Sequence, residues 1–262
     1  MNQKETINKK NKPVISVKNV CKSFNVGKTN IPVLNDINLD VYSGEFVIIF
    51  GPSGCGKSTL LNSITGLEKP TFGNIFVKGD NLYKKNDDDR ARLRHNKYGI
   101  IYQQPNWIKS LNVIENVEFP MHIGGMDSKR AIRRATNMLN MLGFKNFAKY
   151  IPTELSGGQQ QKVAMCRALA NNPWIIVADE PTGNLDTISA NDVMNVFKYL
   201  NDESKKTIIM VSHNTEYEKY ATKVVYIRDG KIEKIIKKRE INIDNDALKA
   251  EDLLETALEA QL

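Results

Sequence analysis

The stretch FVIIFGPSGCGKST, residues 46–59, decides the fold of this chain. Its first five residues form an unbroken apolar run, which is typical of a strand buried on both faces of a parallel sheet. Residues 51–58 then match the pattern GxxxxGK[ST], a glycine-rich loop between a strand and a helix. The apolar residues Leu60, Leu61 and Ile64 follow at positions that suit this helix. A glycine-rich turn with a chance lysine is the alternative, and it leaves the full pattern unexplained.

The glycine-rich loop has the chemistry of a phosphate-binding site. Its glycines let backbone N–H groups turn towards phosphate oxygens, and the helix N-terminus adds positive potential. Lys57 would neutralise the β- and γ-phosphates of a nucleotide, and Ser58 would ligate Mg²⁺. The predicted nucleotide-binding residues of this loop are Gly51, Pro52, Ser53, Gly54, Cys55, Gly56, Lys57, Ser58 and Thr59.

A second buried strand, residues 174–178, ends in the acids Asp179 and Glu180. A carboxylate at the C-terminal end of a parallel strand lies at the edge of the sheet where ligands bind. We expect Asp179 to hold Mg²⁺, directly or through water, and Glu180 to polarise the attacking water. Two acids that merely end a strand in a solvated turn are the alternative, and the phosphate loop argues against it. No NKxD motif for reading guanine occurs, which disfavours a GTPase.

The motif LSGGQ, residues 155–159, precedes a helical stretch at 160–170. Its hydroxyl, its N–H groups and the helix N-terminus form a second small anion site. A nucleotide bound at Lys57 already has its own loop, so this second site either binds something else or completes the site of another subunit. By itself, LSGGQ is also compatible with a simple capped helix start.

Strands alternate with helices along the chain, which predicts an α/β fold with covered sheet faces. Residues 1–13 form an expected disordered arm, and the main domain spans 14–236 with a helical region at about 105–172. Residues 237–262 form an expected acidic helical tail, capped at Asp246. The other predicted strands are 14–20, 37–41, 74–77, 99–102, 207–211 and 223–227, and the predicted helices include 128–142 and 189–200.

The charge and composition restrict the classes of function. The chain has 262 residues, three scattered cysteines and a net charge of +7. Residues 240–262 carry a net charge of −6, which leaves +13 on the rest, but no aromatic interleaving or nucleic-acid motif accompanies the basic residues. Apolar runs are far shorter than the roughly 20 residues of a membrane-spanning helix, and the N-terminus lacks the apolar core of a signal peptide. We therefore expect a soluble cytosolic protein that does not bind nucleic acid.

LSGGQ between the two nucleotide motifs resembles the ATP-binding subunit of an ABC transporter, over about residues 14–236. The resemblance implies a P-loop NTPase cassette, with a RecA-like mixed-sheet core, an antiparallel β subdomain and a helical insert subdomain. It implies that Gln103 of the Q-loop contacts Mg²⁺ and the attacking water, and that His213 is the switch histidine at the γ-phosphate. It also places Asp186 in the D-loop and Phe24 against the adenine ring.

The motifs PTGNLD, LSGGQQQKVA and YQQPN further resemble the lipoprotein-releasing, macrolide-efflux and cell-division (LolD, MacB, FtsE) subgroup. This implies an ATPase that dimerises on ATP, with Leu155, Ser156, Gly157, Gly158 and Gln159 acting in trans. The partner would be an integral membrane permease that exports or extracts substrate or transmits force, with the ATPase peripheral at the cytoplasmic face of the cell membrane. Lys162, Cys55 and the acidic tail depart from the family pattern.

Two other classes compete with a transporter subunit. One is a soluble ABC-type ATPase acting on nucleic acid or ribosomes, which the single short cassette disfavours. The other is a nucleotide-binding module without turnover, which Glu180 and His213 disfavour. The sequence does not specify the transported substrate.

Two side chains each have two alternative roles. Trp107, after Gln103, is either a core residue or a contact to the permease. Cys55 is either a reactive thiol, if exposed, or an inert small residue.

Overall fold

A computed structural model of the chain describes residues 12–238. Most of the expected N-terminal arm and nearly all of the expected tail, including the helix after Asp246, therefore lie outside the described residues. The described strands are β1 (Ile15–Val26), β2 (Thr29–Val41), β3 (Phe46–Phe50), β4 (Phe72–Val77), β5 (Asp80–Asn81), β6 (Tyr98–Ile101), β7 (Ile175–Asp179), β8 (Thr207–Ser212), β9 (Lys223–Arg228) and β10 (Lys231–Lys237). The α-helices are α1 (Lys57–Ile64), α2 (Asp87–Lys97), α3 (Val113–Ile123), α4 (Ser128–Met141), α5 (Gly157–Leu169) and α6 (Thr187–Asp202).

A six-stranded sheet in the order β10-β9-β3-β8-β7-β6 forms the centre of the fold. Strands β9, β3, β8, β7 and β6 are parallel, and β10 pairs antiparallel at one edge. Side chains of β3 alternate between two hydrophobic clusters, with Val47 packing on the side of α1 and Ile48 on the side of α6. Both faces are thus buried, which is why β3, β7 and β8 consist almost entirely of apolar residues.

A smaller antiparallel sheet in the order β2-β1-β4-β5 packs on the α1 side. Its first two strands form one long hairpin, whereas the sequence predicted only the short segments 14–20 and 37–41. The outer half of this hairpin is largely exposed and mixes polar residues with exposed apolar ones such as Phe24, Val26 and Ile31, so its sequence lacks the regular alternation of a half-buried strand. Gly27, with φ +61°, supplies the turn between the strands.

Two further elements were missed by hydrophobic periodicity. Helix α2 buries none of its residues and is stabilised at its two ends. The side chain of Asn86 accepts a hydrogen bond from the N–H of Asp89 at 2.7 Å, which caps the N-terminus. Acidic residues occupy the first turn and basic residues the last turn, where each interacts favourably with the helix dipole. Strand β10 carries mostly exposed side chains at the sheet edge and reaches Lys237, one residue beyond the predicted end of the domain.

Helices α3, α4 and α5 share a third hydrophobic cluster, which includes Val117, Leu139 and Val163. Helix α5 also contributes Met165 to the cluster between the central sheet and α6. One helix therefore packs against both the helical region and the sheet, and it links the two mechanically. No helix within residues 12–238 has the length and apolar character needed to cross a membrane.

Candidate active site

The topology of the central sheet brings three loops to one edge. Strands β3, β8 and β7 are adjacent and parallel, with Phe50 opposite Ser212 and Asp179 opposite Val211. The phosphate loop after β3, the acids at the end of β7 and His213 after β8 consequently meet at the carboxyl ends of these strands. This is the edge at which parallel α/β sheets bind ligands.

The phosphate loop is shaped by close backbone contacts. A Cβ at Gly51 would lie 2.2 Å from the carbonyl oxygen of Ile227, so no side chain fits there. Gly56 caps α1 in the left-handed region, with φ +99°. Lys57 is buried, and its Nζ donates to the carbonyl oxygens of Gly51 and Pro52 at 2.7 and 2.9 Å. The loop therefore wraps around the ammonium group that would contact phosphate.

Cys55 lies within this loop but points away from solvent. Its side chain is only 5% exposed and belongs to the hydrophobic cluster that also contains Leu60 and Leu61 of α1. Of the two alternatives for Cys55, this burial favours the inert small residue, because the side chain packs into the core and the condition of exposure is not met.

Asp179 and Ser58 are joined by a hydrogen bond, in which the hydroxyl of Ser58 donates to Oδ1 of Asp179 at 3.1 Å. Burial raises the pKa of Asp179, while the Ser58 hydrogen bond and the nearby Lys57 act in the opposite direction. A hydroxyl and a half-buried carboxylate are hard oxygen donors of the kind that Mg²⁺ prefers. The two residues therefore fit a site for this cation.

Glu180 is placed between two basic groups. Its Oε2 lies 2.8 Å from Nδ1 of His213, and its Oε1 lies 4.0 Å from Nζ of Lys57. Its backbone is left-handed, with φ +45°, which is unfavourable for a residue with a Cβ and concentrates at functional sites. The N–H of Glu180 donates to the carbonyl of Val211 at 3.2 Å, and this bond anchors the strained residue to β8.

Gln103 lies just after β6, at the end of the strand next to β7. Its side chain is exposed, and its Nε2 donates to Oδ1 of Asn184 at 3.3 Å. Asp186, two residues further on, caps α6 by accepting hydrogen bonds from the N–H groups of Ile188 and Ser189, both at 3.0 Å. These backbone hydrogen bonds lower the pKa of Asp186. The structure thus gives Asp186 a capping role within its own chain.

The LSGGQ residues begin α5 as a capping box. The N–H of Ser156 donates to Oε1 of Gln159 at 2.9 Å, and the N–H of Gln159 donates back to the hydroxyl of Ser156 at 3.4 Å. Leu155 is buried against the helical cluster. A Cβ at Gly158 would fall 2.6 Å from the side chain of Ser189, so this glycine lets α5 approach α6 closely. Within one chain the motif is therefore a capped helix start, as the simpler interpretation expected.

Phe24 lies on β1 in the smaller sheet, with 37% of its surface exposed. The ammonium group of Lys22 lies 4.7 Å from the centre of its ring. An aromatic face is therefore available on the surface, and Phe24 is not a core residue.

Helix α5 holds the segment around Gln103 through contacts that sequence reasoning missed. Gln161 is buried and donates from Nε2 to the carbonyl of Tyr102 at 3.0 Å. On the other side, Nε1 of Trp107 donates to Oε1 of Gln160 at 2.9 Å, and the guanidinium of Arg167 lies 4.6 Å from the centre of the indole. The only signal in the sequence is the run of three glutamines at 159–161, and it does not reveal their partners.

Comparison with known proteins identifies the relatives of this chain. The family model described as ABC transporter matches residues 34–183. The ABC transporter ATP-binding protein MJ1508 of Methanocaldococcus jannaschii is 48% identical over 225 residues, covering 86% of this chain and all of that protein. The lipoprotein-releasing system ATP-binding protein LolD of Wigglesworthia glossinidia brevipalpis is 41% identical, covering 86% of this chain and 98% of LolD.

Solved structures agree with this relationship. A dimeric structure of the ABC transporter cassette MJ0796 has a TM-score of 0.81 and 41% identity, covering 87% of this chain and all of that chain. A dimeric post-hydrolysis state of MJ0796, bound to ADP and Pi, has the same TM-score at 40% identity. These matches confirm the predicted cassette architecture, and the LolD match is consistent with the predicted subgroup. The chain belongs to the ATP-binding proteins of ABC transporters, and it is an ATPase.

Proposed function

We propose that this chain hydrolyses ATP with Glu180, His213 and Gln103, closes on ATP as a homodimer, and thereby drives a membrane permease. The observation that carries the proposal is the contact of Glu180 with both His213 and Lys57 at the edge where Ser58 meets Asp179. A site that only bound nucleotide would not require a carboxylate hydrogen-bonded to a histidine at this position.

Mg²⁺ would be held by Ser58, Asp179 and Gln103, whose side chains all offer oxygen atoms. When bound, the cation would offset the negative charge of the phosphates during their transfer to water. Asp179 suits this role because its half-buried carboxylate lies beside the Ser58 hydroxyl, with which it would share the cation.

Separate residues would bind the phosphates, activate the attacking water and stack on the adenine ring. Lys57 would exchange its two carbonyl partners for phosphate oxygens, and the backbone N–H groups of residues 51–59 would surround the remaining oxygens. Glu180 would orient the attacking water and accept its proton, while His213 would hold Glu180 in place and contact the γ-phosphate. Phe24 would stack on the adenine ring with its exposed face.

Dimerisation would bring the LSGGQ motif of one chain to the phosphates bound by the other. Leu155, Ser156, Gly157, Gly158 and Gln159 lie at the N-terminus of a 13-residue helix, where N–H groups and the helix dipole favour an anion. The dimeric structures of the related MJ0796 support an assembly of two such cassettes.

Substitution Glu180→Gln tests this proposal. We expect the affinity for ATP to change less than about twofold and turnover to fall at least about 100-fold, because the proton acceptor is lost while the phosphate contacts remain. In sedimentation with MgATP the variant should reach twice the monomer mass of 29.6 kDa. Glu216→Gln, an exposed carboxylate nearby, is the matched control and should hydrolyse ATP normally. Normal turnover in Glu180→Gln, or an ATP-bound variant that stays monomeric at high concentration, would contradict the proposal.

The permease would dock in a cavity of about 360 Å³ between α2, β6, α3 and α5. The cavity combines apolar and basic side chains, among them Leu67, Ile100, Pro120, Arg94 and Arg167, which suits a helix from a membrane subunit. Such a partner would hold the ATPase at the cytoplasmic face of the cell membrane. Trp107 is half-buried and packs against α5, so we assign it to positioning this segment rather than to contacting the permease.

Leu67→Arg tests the docking site, because this side chain is 48% exposed and a charge there leaves the core intact. We expect basal ATPase activity within about twofold of wild type and a loss of co-purification with the membrane subunit. Ile235→Arg, on the exposed edge strand β10, is the control that should still co-purify. If Leu67→Arg retains its permease, the docking surface lies elsewhere.

A further inference from the structure

Asn184 makes a side-chain contact that connects two otherwise separate loops. It belongs to the segment between β7 and α6, whereas Gln103 follows β6. Their carboxamides meet with Nε2 of Gln103 as donor and Oδ1 of Asn184 as acceptor, at 3.3 Å. Because a carboxamide is planar with one donor end and one acceptor end, occupying the nitrogen determines where the oxygen faces.

Gln103 has one acceptor atom to offer a cation, its Oε1. Within residues 12–238, the side chain of Gln103 makes one hydrogen bond, in which its Nε2 donates to Asn184. Its Oε1 is therefore left available. A carboxamide that turned over would present N–H groups instead, and these cannot bind Mg²⁺. The contact with Asn184 therefore occupies the nitrogen of Gln103 and leaves available the oxygen that metal binding would use.

Gly183 provides the space for this contact. Its backbone is not in the left-handed region, so a glycine is not needed there for conformation. A Cβ at this position would, however, lie 2.8 Å from Nε2 of Gln103 and displace the carboxamide. Two consecutive turns, from the N–H of Gly183 to the carbonyl of Glu180 and from Leu185 to Thr182, hold Asn184 at a fixed place relative to the end of β7.

We propose that Asn184 is a positioning residue, which orients the carboxamide of Gln103 so that Oε1 faces the cation site at Ser58 and Asp179. The inference rests on the proposed role of Gln103 as a metal ligand. Gln161 also fixes the backbone next to Gln103, since it donates a hydrogen bond to the carbonyl of the preceding residue, Tyr102. Asn184 itself touches neither nucleotide nor metal in this proposal.

Binding of Mn²⁺, measured by electron paramagnetic resonance with a non-hydrolysable ATP analogue, tests the proposal without reference to turnover. The titration is run on the full chain at a concentration where sedimentation shows monomers, so that only contacts within one chain contribute. We expect Asn184→Leu and Gly183→Ala to raise the Kd for Mn²⁺ about twofold to tenfold, the range that the loss of one neutral hydrogen bond produces. The metal-free affinity for the analogue should stay unchanged.

Asn184→Asp is the conservative variant, because it keeps the acceptor oxygen, and its Kd for Mn²⁺ should be no higher than that of wild type. Asn195→Leu, on the exposed face of α6, is the matched control and should behave as wild type. In the double variant Gln103→Ala with Asn184→Leu, the Kd should equal that of Gln103→Ala alone, since the second change acts only through Gln103.

Two results separate the ways in which this inference can fail. If Gln103→Ala leaves Mn²⁺ binding unchanged, the metal role of Gln103 is wrong, and the inference falls with it. If Gln103→Ala weakens Mn²⁺ binding but Asn184→Leu does not, or if the two effects add in the double variant, Gln103 remains a ligand and the inference about Asn184 is overturned. Circular dichroism establishes that each variant is folded.

Discussion

The ionised carboxylate of Asp179 is unfavourable for folding but is the form that would bind a cation. Burial raises its pKa, and the hydrogen bond from Ser58 compensates only in part. An acid whose pKa is raised by folding destabilises the folded state once it is ionised, so this cost is present above the raised pKa and disappears as the pH falls through it. A carboxylate that opposes folding at the end of a strand is consistent with the cation-binding role proposed for Asp179.

Asp179→Asn should therefore stabilise the nucleotide-free protein at neutral pH. We expect a rise in the thermal midpoint of about 1–4 °C, measured by calorimetry, because the amide avoids the buried charge and still accepts the hydrogen bond from Ser58. The difference from wild type should shrink as the pH falls through the raised pKa of Asp179. Asp192→Asn, an exposed acid on α6, is the control and should shift the midpoint little. A lower midpoint for Asp179→Asn would contradict the assignment.

Cys55 illustrates how a residue within a functional motif can act as a core residue. Since its thiol is buried and Cys21 is half-buried, we expect maleimide to label Cys21 first in the native protein. Peptide mass mapping after brief labelling measures the order, and Cys21→Ser should remove the fast phase. Rapid labelling of Cys55 that MgATP blocks would show instead that the loop opens to expose the thiol.

At the scale of elements, the contact between the starts of α5 and α6 links the LSGGQ motif to the segment that carries Asp186. Gly158 lies directly against Ser189, and about one turn further along each helix Lys162 forms an ion pair with Asp192 at 2.7 Å. The ion pair is solvent-exposed and contributes little to stability. Close packing at Gly158 therefore constrains the relative position of α5 and α6 more strongly. A movement of either helix is therefore expected to carry the other with it.

Gly158→Ala should destabilise the protein by about 1–3 kcal/mol, because its Cβ would lie only 2.6 Å from both Cβ and Oγ of Ser189. Gly157→Ala is the matched control in the same helical turn. There the nearest atom, at 3.3 Å, is the end of the flexible Leu185 side chain, and the expected change is below about 1 kcal/mol. Urea unfolding measures both. Equal effects of the two substitutions would show that α5 and α6 can separate without cost.

At the scale of the whole molecule, charge is divided unevenly along the chain. Residues 240–262 carry a net charge of −6, and the rest of the chain carries +13. All of the predicted phosphate, adenine and metal contacts lie between Phe24 and His213. We therefore expect nucleotide binding to be independent of the acidic segment.

Deletion of residues 240–262 should leave the Kd for ATP within about twofold of that of the full chain, because no predicted ligand to phosphate or metal is removed. Isothermal titration of both proteins provides the measurement. The midpoint of thermal unfolding, recorded in parallel, detects any loss of packing. A large fall in ATP affinity would show that the cassette extends into the acidic segment.

Hydrophobic patterning predicted the elements that bury at least one face and missed those that bury few or none of their side chains. Strands β3, β7 and β8 consist almost entirely of apolar residues, so their place at the centre of a sheet follows from composition. The outer half of the β1–β2 hairpin is largely exposed and helix α2 buries none of its residues, and both are held by backbone pairing or end caps. Such interactions leave little trace in hydrophobic periodicity.

The sequence by itself determined which chemistry this protein performs, because a phosphate loop, a pair of acids at a strand end and the LSGGQ motif each require particular residue types at short spacing. The tertiary structure alone decided which of these groups meet. The order β3-β8-β7-β6 brings Lys57, Glu180 and His213 together across more than 150 positions of sequence, and its last pair of strands places Asn184 against Gln103. Contacts of this kind depend on strand order and on a few ångströms of clearance, and neither is written in local sequence.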